Sequence, residues 1–322
     1  LEKDMRIALA LQGGGAHGAY TWGVLDRLLR EPDIDVDAVS GASAGAVNGV
    51  ALLEGWRLGG ARGARAMLER IWNAVGGRSQ LTELLGIPAG FRNHAMHHAA
   101  LKGVAQLTRW MSAEQLNPLG LDPLGEILDD SIDFKRFSAA PGAKFFVSAT
   151  DIEARCARVF SRSEITRDVI LASACLPHLQ RGVSIQGRIY WDGGLTSNPP
   201  LWPLVRYASA RHIVLIRLGA KRDNDDLSTP ESIRGEMTEL SFEAPLAAEL
   251  ESIATAQAMA RASWMTLGDP MRRLRQIEIS SIGSPDWLGQ FDPISKVDTA
   301  PVFLEELRHA GENAAIAWLR RR

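Results

Sequence analysis

Within its first 50 residues the chain twice runs an apolar segment into a glycine-dense turn and then into a helical pattern. This doubled unit limits the fold more than any other feature of the sequence. The first copy is "RIALALQGGGAHGAY", Arg6 to Tyr20. Its Ile-Ala-Leu-Ala-Leu run, Ile7 to Leu11, has the unbroken apolar character of a strand buried on both faces, as in a parallel sheet. Gly13, Gly15 and Gly18 follow at the spacing G-x-G-x-x-G. Ala19 to Arg30 then reads as a helix with Tyr20, Trp22, Val24, Leu25, Leu28 and Leu29 as its apolar positions. A glycine turn at a helix N-terminus directs backbone N–H groups toward an anion, and the helix dipole favours negative charge there. The spacing does not say which anion. A dinucleotide pyrophosphate is one answer.

The second copy decides between them. A dinucleotide site needs an acidic residue at the C-terminal end of the second strand. Asp33, Asp35 and Asp37 instead lie before or at the start of the run Val36 to Ser40. That run leads into "GASAG", Gly41 to Gly45, and then into the helical pattern "AVNGVALLEG". Strand, G-x-S-x-G, helix is the setting of a nucleophile elbow, in which small neighbours let a sharp turn expose the serine at a helix N-terminus. Ser43 is the candidate nucleophile. The N–H groups of Gly13, Gly14 and Gly15 are the candidate oxyanion hole for the intermediate it would form.

A serine nucleophile needs a base. In an α/β-hydrolase the order is serine, acid, histidine, and among the seven histidines His309 could fill the last place. It falls, however, in the amphipathic pattern "FLEELRHAGENAAIAWL", and only one strand precedes that of Ser43. A carboxylate fits better. "GRIYWDGGLTSNPPLWPL" places Asp192 at a strand end before Gly193 and Gly194. A carboxylate can take the serine proton directly if it is close and desolvated enough for its pKa not to be too low.

With these blocks in hand the chain resembles the bacterial patatin-like phospholipases. That family carries G-G-G-x-[R/K]-G, G-x-S-x-G and D-G-[G/A] in this order, here "GGGAHG" (Gly13 to Gly18), "GASAG" and "DGG". An A-S-x-x-x-P segment before the aspartate matches "ASACLP", Ala172 to Pro177. The resemblance implies a Ser43–Asp192 dyad and a three-layer α/β fold with a mostly parallel central sheet flanked by helices. It also implies action on lipid acyl esters without a metal or other cofactor. His17, Gly18, Gly41, Gly45, Gly193 and Gly194 become motif-supporting positions. His17 departs from the family's Arg or Lys. It either supports the loop and the oxyanion when protonated, or packs and hydrogen-bonds at the helix start.

Composition agrees with an enzyme of this kind. The 322 residues suffice for one large domain or a domain with an extension, and 46% of them are hydrophobic. A net charge of −2 provides no field for nucleic acid. Two cysteines, Cys156 and Cys175, indicate a reduced compartment. With no signal-peptide pattern and no run of ~18 apolar residues, the expected location is cytoplasmic, with at most transient contact at a membrane surface.

We expect a catalytic domain over 7–205. Within it, 76–121 forms a helical insertion or lid, with Phe91, Trp110 and Met111 beside Arg92, Lys102 and Arg109 as a lipid-contact face. His94, His97 and His98 lack a carboxylate at metalloprotease spacing, so no metal is expected there. Residues 206–322 should complete the α/β pattern with the strand "RHIVLIRLG" and end in a helical extension. The expected partner is a lipid or ester substrate, with no nucleic acid or nucleotide cofactor. The same site would also serve acyl transfer, neutral-ester or polyester hydrolysis. A non-catalytic lipid-binding protein and a nucleotide-dependent oxidoreductase are the readings from other classes.

Overall fold

The apolar runs of the sequence become the strands of one sheet. The structure, a computed structural model, describes residues 5–77, 103, 115, 117, 120–219, 228–262 and 268–321. Strand β1 (Met5–Leu11) leads through the glycine turn into helix α1 (Gly18–Leu28), and β2 (Ile34–Gly41) leads through the serine turn into α2 (Ala44–Gly77). Helix α2 joins two helical runs across Gly59 and Gly60, whose backbone angles are not helical. Helices α3 (Pro123–Ser131) and α4 (Phe134–Ala139) precede the antiparallel pair β3 (Lys144–Asp151) and β4 (Cys156–Ser161). Helix α5 (Arg167–Ser173) is followed by the hairpin β5 (Val183–Ile185) and β6 (Arg188–Asp192). The two hairpin-loop residues, Gln186 and Gly187, both have positive φ, as a type I′ turn requires.

The remaining chain contributes α6 (Trp202–Tyr207), β7 (His212–Ile216), α7 (Pro230–Ala262) and α8 (Asp269–Gln276). It ends with β8 (Glu278–Ile282), α9 (Pro285–Leu288) and α10 (Pro301–Leu319). The strand order is β5-β6-β3-β2-β1-β7-β8, with β4 on the other edge of β3. The pairings β3–β2, β2–β1, β1–β7 and β7–β8 are parallel. Those involving β4, β5 and β6 are antiparallel. The chain beyond residue 205 thus supplies two strands of the same sheet.

Alternation along β1 builds the three layers. Ile7, Leu9 and Leu11 face a core shared with α1, α2 and α10, whereas Ala8 and Ala10 face a second core with Leu204, Leu246, Ile253 and Leu274. Small residues on the second face let that layer sit close to the sheet. Helices α1 and α10 approach to backbone contact, since a Cβ at Gly23 would run into Arg308 O and one at Gly311 into Tyr20 O.

The register of β3 sets up the site. Gly41, the last residue of β2, pairs with Val147. There β2 leaves the sheet, and β6 takes over the same side of β3, with Asp192 opposite Ala149. Two residues along a strand span about 7 Å. The aspartate therefore arrives just beyond the point where the serine turn departs.

Candidate active site

Ser43 sits between β2 and α2 with φ 52, a left-handed conformation uncommon for a residue with a side chain. The turn is held from several sides. The Ser43 N–H donates to Ser173 Oγ at 2.9 Å, and the Ser43 carbonyl accepts from the N–H groups of Ala46 and Val47. A Cβ at Gly41 would lie 2.5 Å from Gly45 O, and one at Gly45 would run into Leu11 O. These close approaches explain why the elbow is built from small residues.

Asp192 ends β6 and is 0% exposed. Its main chain is tied down on both sides: its N–H donates to Cys175 O at 2.8 Å, and its carbonyl accepts from Thr150 Oγ1 at 2.7 Å. Carboxylate Oδ1 accepts the Gly194 N–H at 2.7 Å, whereas Oδ2 is buried without a hydrogen bond of full geometry. Burial raises the carboxyl pKa from 3.8 to about 7, against the lowering effects of the Ser43 hydroxyl and the Gly194 N–H. The Ser43 hydroxyl thus lies close enough to the carboxyl to favour its ionised form. Gly193 packs against Ser148 O, and a Cβ at Gly194 would lie 2.6 Å from the Phe242 ring.

The glycine loop lies directly over the serine. A Cβ at Gly13 would be 2.7 Å from both Ala42 O and Ser43 Cβ. The Gly13 N–H, however, donates to Asn198 Oδ1 at 2.7 Å. Of the three expected oxyanion-hole groups, the Gly13 N–H is therefore turned to Asn198 in this structure. Among the described residues no protein acceptor takes the N–H groups of Gly14 and Gly15. Gly15 has φ +58, and a Cβ there would run into Lys296 O. A Cβ at Gly18 would lie 2.6 Å from Ala44 Cβ, which brings the two helix starts together.

His17 is 2% exposed. Its Nε2 is 2.8 Å from Ser295 Oγ, and its ring meets the edges of Phe291 and Phe303 at 6.2 and 6.1 Å. These contacts surround the ring at the start of the helix. His17 ties the loop to the 293–297 turn. Cys175 is buried, donates to Arg181 O at 3.1 Å, and has its thiol pKa raised to about 12, first by burial and then by Asp192. That is the wrong direction for a rival nucleophile.

Among the described residues, His309 and His212 pair with groups other than Ser43 and Asp192. His309 is exposed on α10 and pairs with Glu305 at 3.1 Å. His212 starts β7, at the opposite end of the parallel strands from Ser43, with Nε2 2.7 Å from Ser280 Oγ. His178 is exposed. The expected lid over 76–121, with Phe91, Trp110 and Met111, lies almost wholly outside the described residues, as do His94, His97 and His98. Among the described residues there is no group of three or more metal-ligating side chains, and no helix is long and apolar enough to cross a membrane.

Sequence reading missed Ser173, Thr150 and Asn198, which bind the main chain of the serine turn, the aspartate and the glycine loop. The block Ala172 to Pro177 was the available signal, since it supplies both Ser173 Oγ and Cys175 O to the site. Asn198 follows Asp192 by six residues in the punctuated stretch "TSNPP".

A mostly parallel sheet flanked by helices, with the Ser43 turn, the buried Asp192 carboxyl and the glycine loop brought to one strand edge, defines the class as an α/β protein. The model of the patatin-like phospholipase family matches residues 9–205, and the chain belongs to that family. The chain is 28% identical over 218 residues to the uncharacterized protein YjjU of Escherichia coli (strain K12), a match covering 66% of this chain and 52% of YjjU. It thus spans about half the length of that curated relative. It is also similar to the crystal structure of VipD from Legionella pneumophila, with a TM-score of 0.41 and 13% identity, over 96% of this chain and 67% of VipD.

Proposed function

We propose that the protein is a serine acyl hydrolase of the phospholipase or lysophospholipase type, working through a Ser43–Asp192 dyad. The observation that carries this reading is the juxtaposition of an elbow serine at φ 52 with a fully buried carboxyl whose pKa lies at about 7. A base near neutrality combines ionisation with a useful proton affinity. Ser43 Oγ attacks the acyl carbonyl carbon as its proton passes to Asp192. The oxyanion is met by the N–H groups of Gly14 and Gly15. The ester C–O bond then breaks, and Asp192 returns the proton to the leaving alkoxide. Water, deprotonated by Asp192, attacks the acyl-enzyme, and the carboxylic acid leaves as Ser43 regains its proton.

In this reading 7–205 carries the chemistry and 206–322 completes the framework. The test is a panel of p-nitrophenyl esters of several chain lengths, phospholipids and lysophospholipids, run on wild type and Ser43→Ala. Turnover of acyl lipids that disappears in Ser43→Ala supports the proposal. Equal turnover by both proteins removes it.

A further inference from the structure

The family-matched stretch ends at residue 205, yet helix α7 lies beyond it and touches the segments on both sides of the candidate site. Phe242, Leu246, Glu249 and Ile253 recur at i, i+4, i+7 and i+11, one helical face. The Phe242 ring occupies the space beside Gly194, and its carbonyl accepts Asn198 Nδ2 at 3.2 Å. Glu249 Oε1 accepts the N–H groups of Leu201 and Trp202, each at 2.8 Å, and Ser197 Oγ approaches its other oxygen at 3.3 Å. On the other flank, Gln12 Nε2 donates to Glu243, immediately before the glycine loop.

Asn198 stands at the junction. Fully buried, it holds α7 with its amide NH2 and the Gly13 N–H with its oxygen. We propose that α7 is a working part of the active site, and that Asn198 is the positioning residue through which it sets the glycine loop over Ser43. The inference rests on the hydrolase reading above. A run of three glycines has wide backbone freedom. Fixing the peptide between Gln12 and Gly13 aims the two N–H groups that follow. Without its acceptor the Gly13 N–H would be buried and unpaired, and the loop would turn to find another.

The experiment compares wild type, Asn198→Ala and Asn198→Asp, which keeps an acceptor toward Gly13. Fluorophosphonate labelling to completion counts competent sites, and kcat and KM are then measured per site on a soluble short-chain p-nitrophenyl ester. Misplacement of a catalytic group on the order of 1 Å costs ~100-fold. We expect kcat per site in Asn198→Ala to fall about 10- to 100-fold with KM little changed, and Asn198→Asp to recover part of the loss. A merely structural role lowers the count of competent sites or the melting temperature and leaves kcat per site alone.

If Asn198→Ala does not fold, Glu249→Ala carries the test: its kcat per site should fall and be restored by Glu249→Gln. Unchanged kcat per site in the folded variant overturns the inference while an active wild type leaves the hydrolase reading standing. A wild type with neither turnover nor Ser43 labelling overturns both.

Discussion

Replacing Asp192 by asparagine should make the protein more stable, and increasingly so as pH rises. The carboxyl is fully buried, and burial raises its pKa from 3.8 to about 7. A carboxyl whose folded pKa lies above its unfolded value binds protons more tightly when folded. The folded state is therefore penalised as pH rises from about 4, and the penalty levels off above about 7. The difference of about three pKa units corresponds to ~4 kcal/mol at the plateau. At pH 5 the penalty is already ~1.6 kcal/mol, so between pH 5 and pH 8 the wild type should lose about 2.5–3 kcal/mol relative to the variant. An asparagine keeps an oxygen to accept from the Gly194 N–H.

Urea unfolding of both proteins at pH 5 and pH 8 measures the difference directly, because every other titrating group is common to the pair. In thermal melts the gap should widen by about 5 °C between the two pH values, at ~2 °C per kcal/mol for a chain of this size. Parallel pH dependences in the two proteins would refute the reasoning, since Asp192 would then ionise alike in folded and unfolded chains. The sign carries meaning for function: the site keeps a buried charge at a cost to stability.

The same carboxyl should govern catalysis. On a soluble ester, log kcat/KM should rise with pH at unit slope and bend near pH 7, where Asp192 ionises; a profile flat from pH 5 to 8 contradicts its role as base. Substitution of His309, His178 or His212 by alanine should leave most of the turnover, whereas a triad histidine would cost roughly a millionfold in kcat. Gly311→Ala should destabilise the protein by about 1–3 kcal/mol, because the added methyl would run into Tyr20 O where α1 and α10 meet; urea unfolding checks this.

What the sequence made legible was local. The serine turn is contained in a strand, five residues and a helix start, and Asp192 stands beside its own Gly-Gly signal, so spacing alone exposes both. What holds these groups is not local. Ser173 reaches Ser43 across 130 residues, Asn198 reaches Gly13 across 185, and Ser295 reaches His17 across 278. No period or dipeptide encodes such contacts. The partners of His17, namely Ser295, Phe291 and Phe303, are equally remote in the sequence.

Helix α5 likewise ends at Ser173, and the next residues bend so that Cys175 O can receive the Asp192 N–H. The contacts of α7 were not legible because its stretch of sequence carries no motif. Its polar residues on the buried face, Glu243 and Glu249, acquire meaning only from the loops they meet.

The most direct test of the central claim is covalent labelling of the native protein with a fluorophosphonate, read by intact mass and peptide mapping. An activated serine attacks phosphorus and stays bound as an analogue of the tetrahedral intermediate. The account predicts one adduct, on Ser43, formed far more slowly in folded Asp192→Asn and absent in Ser43→Ala. An adduct on another residue, or equal labelling of Ser43→Ala, would contradict it.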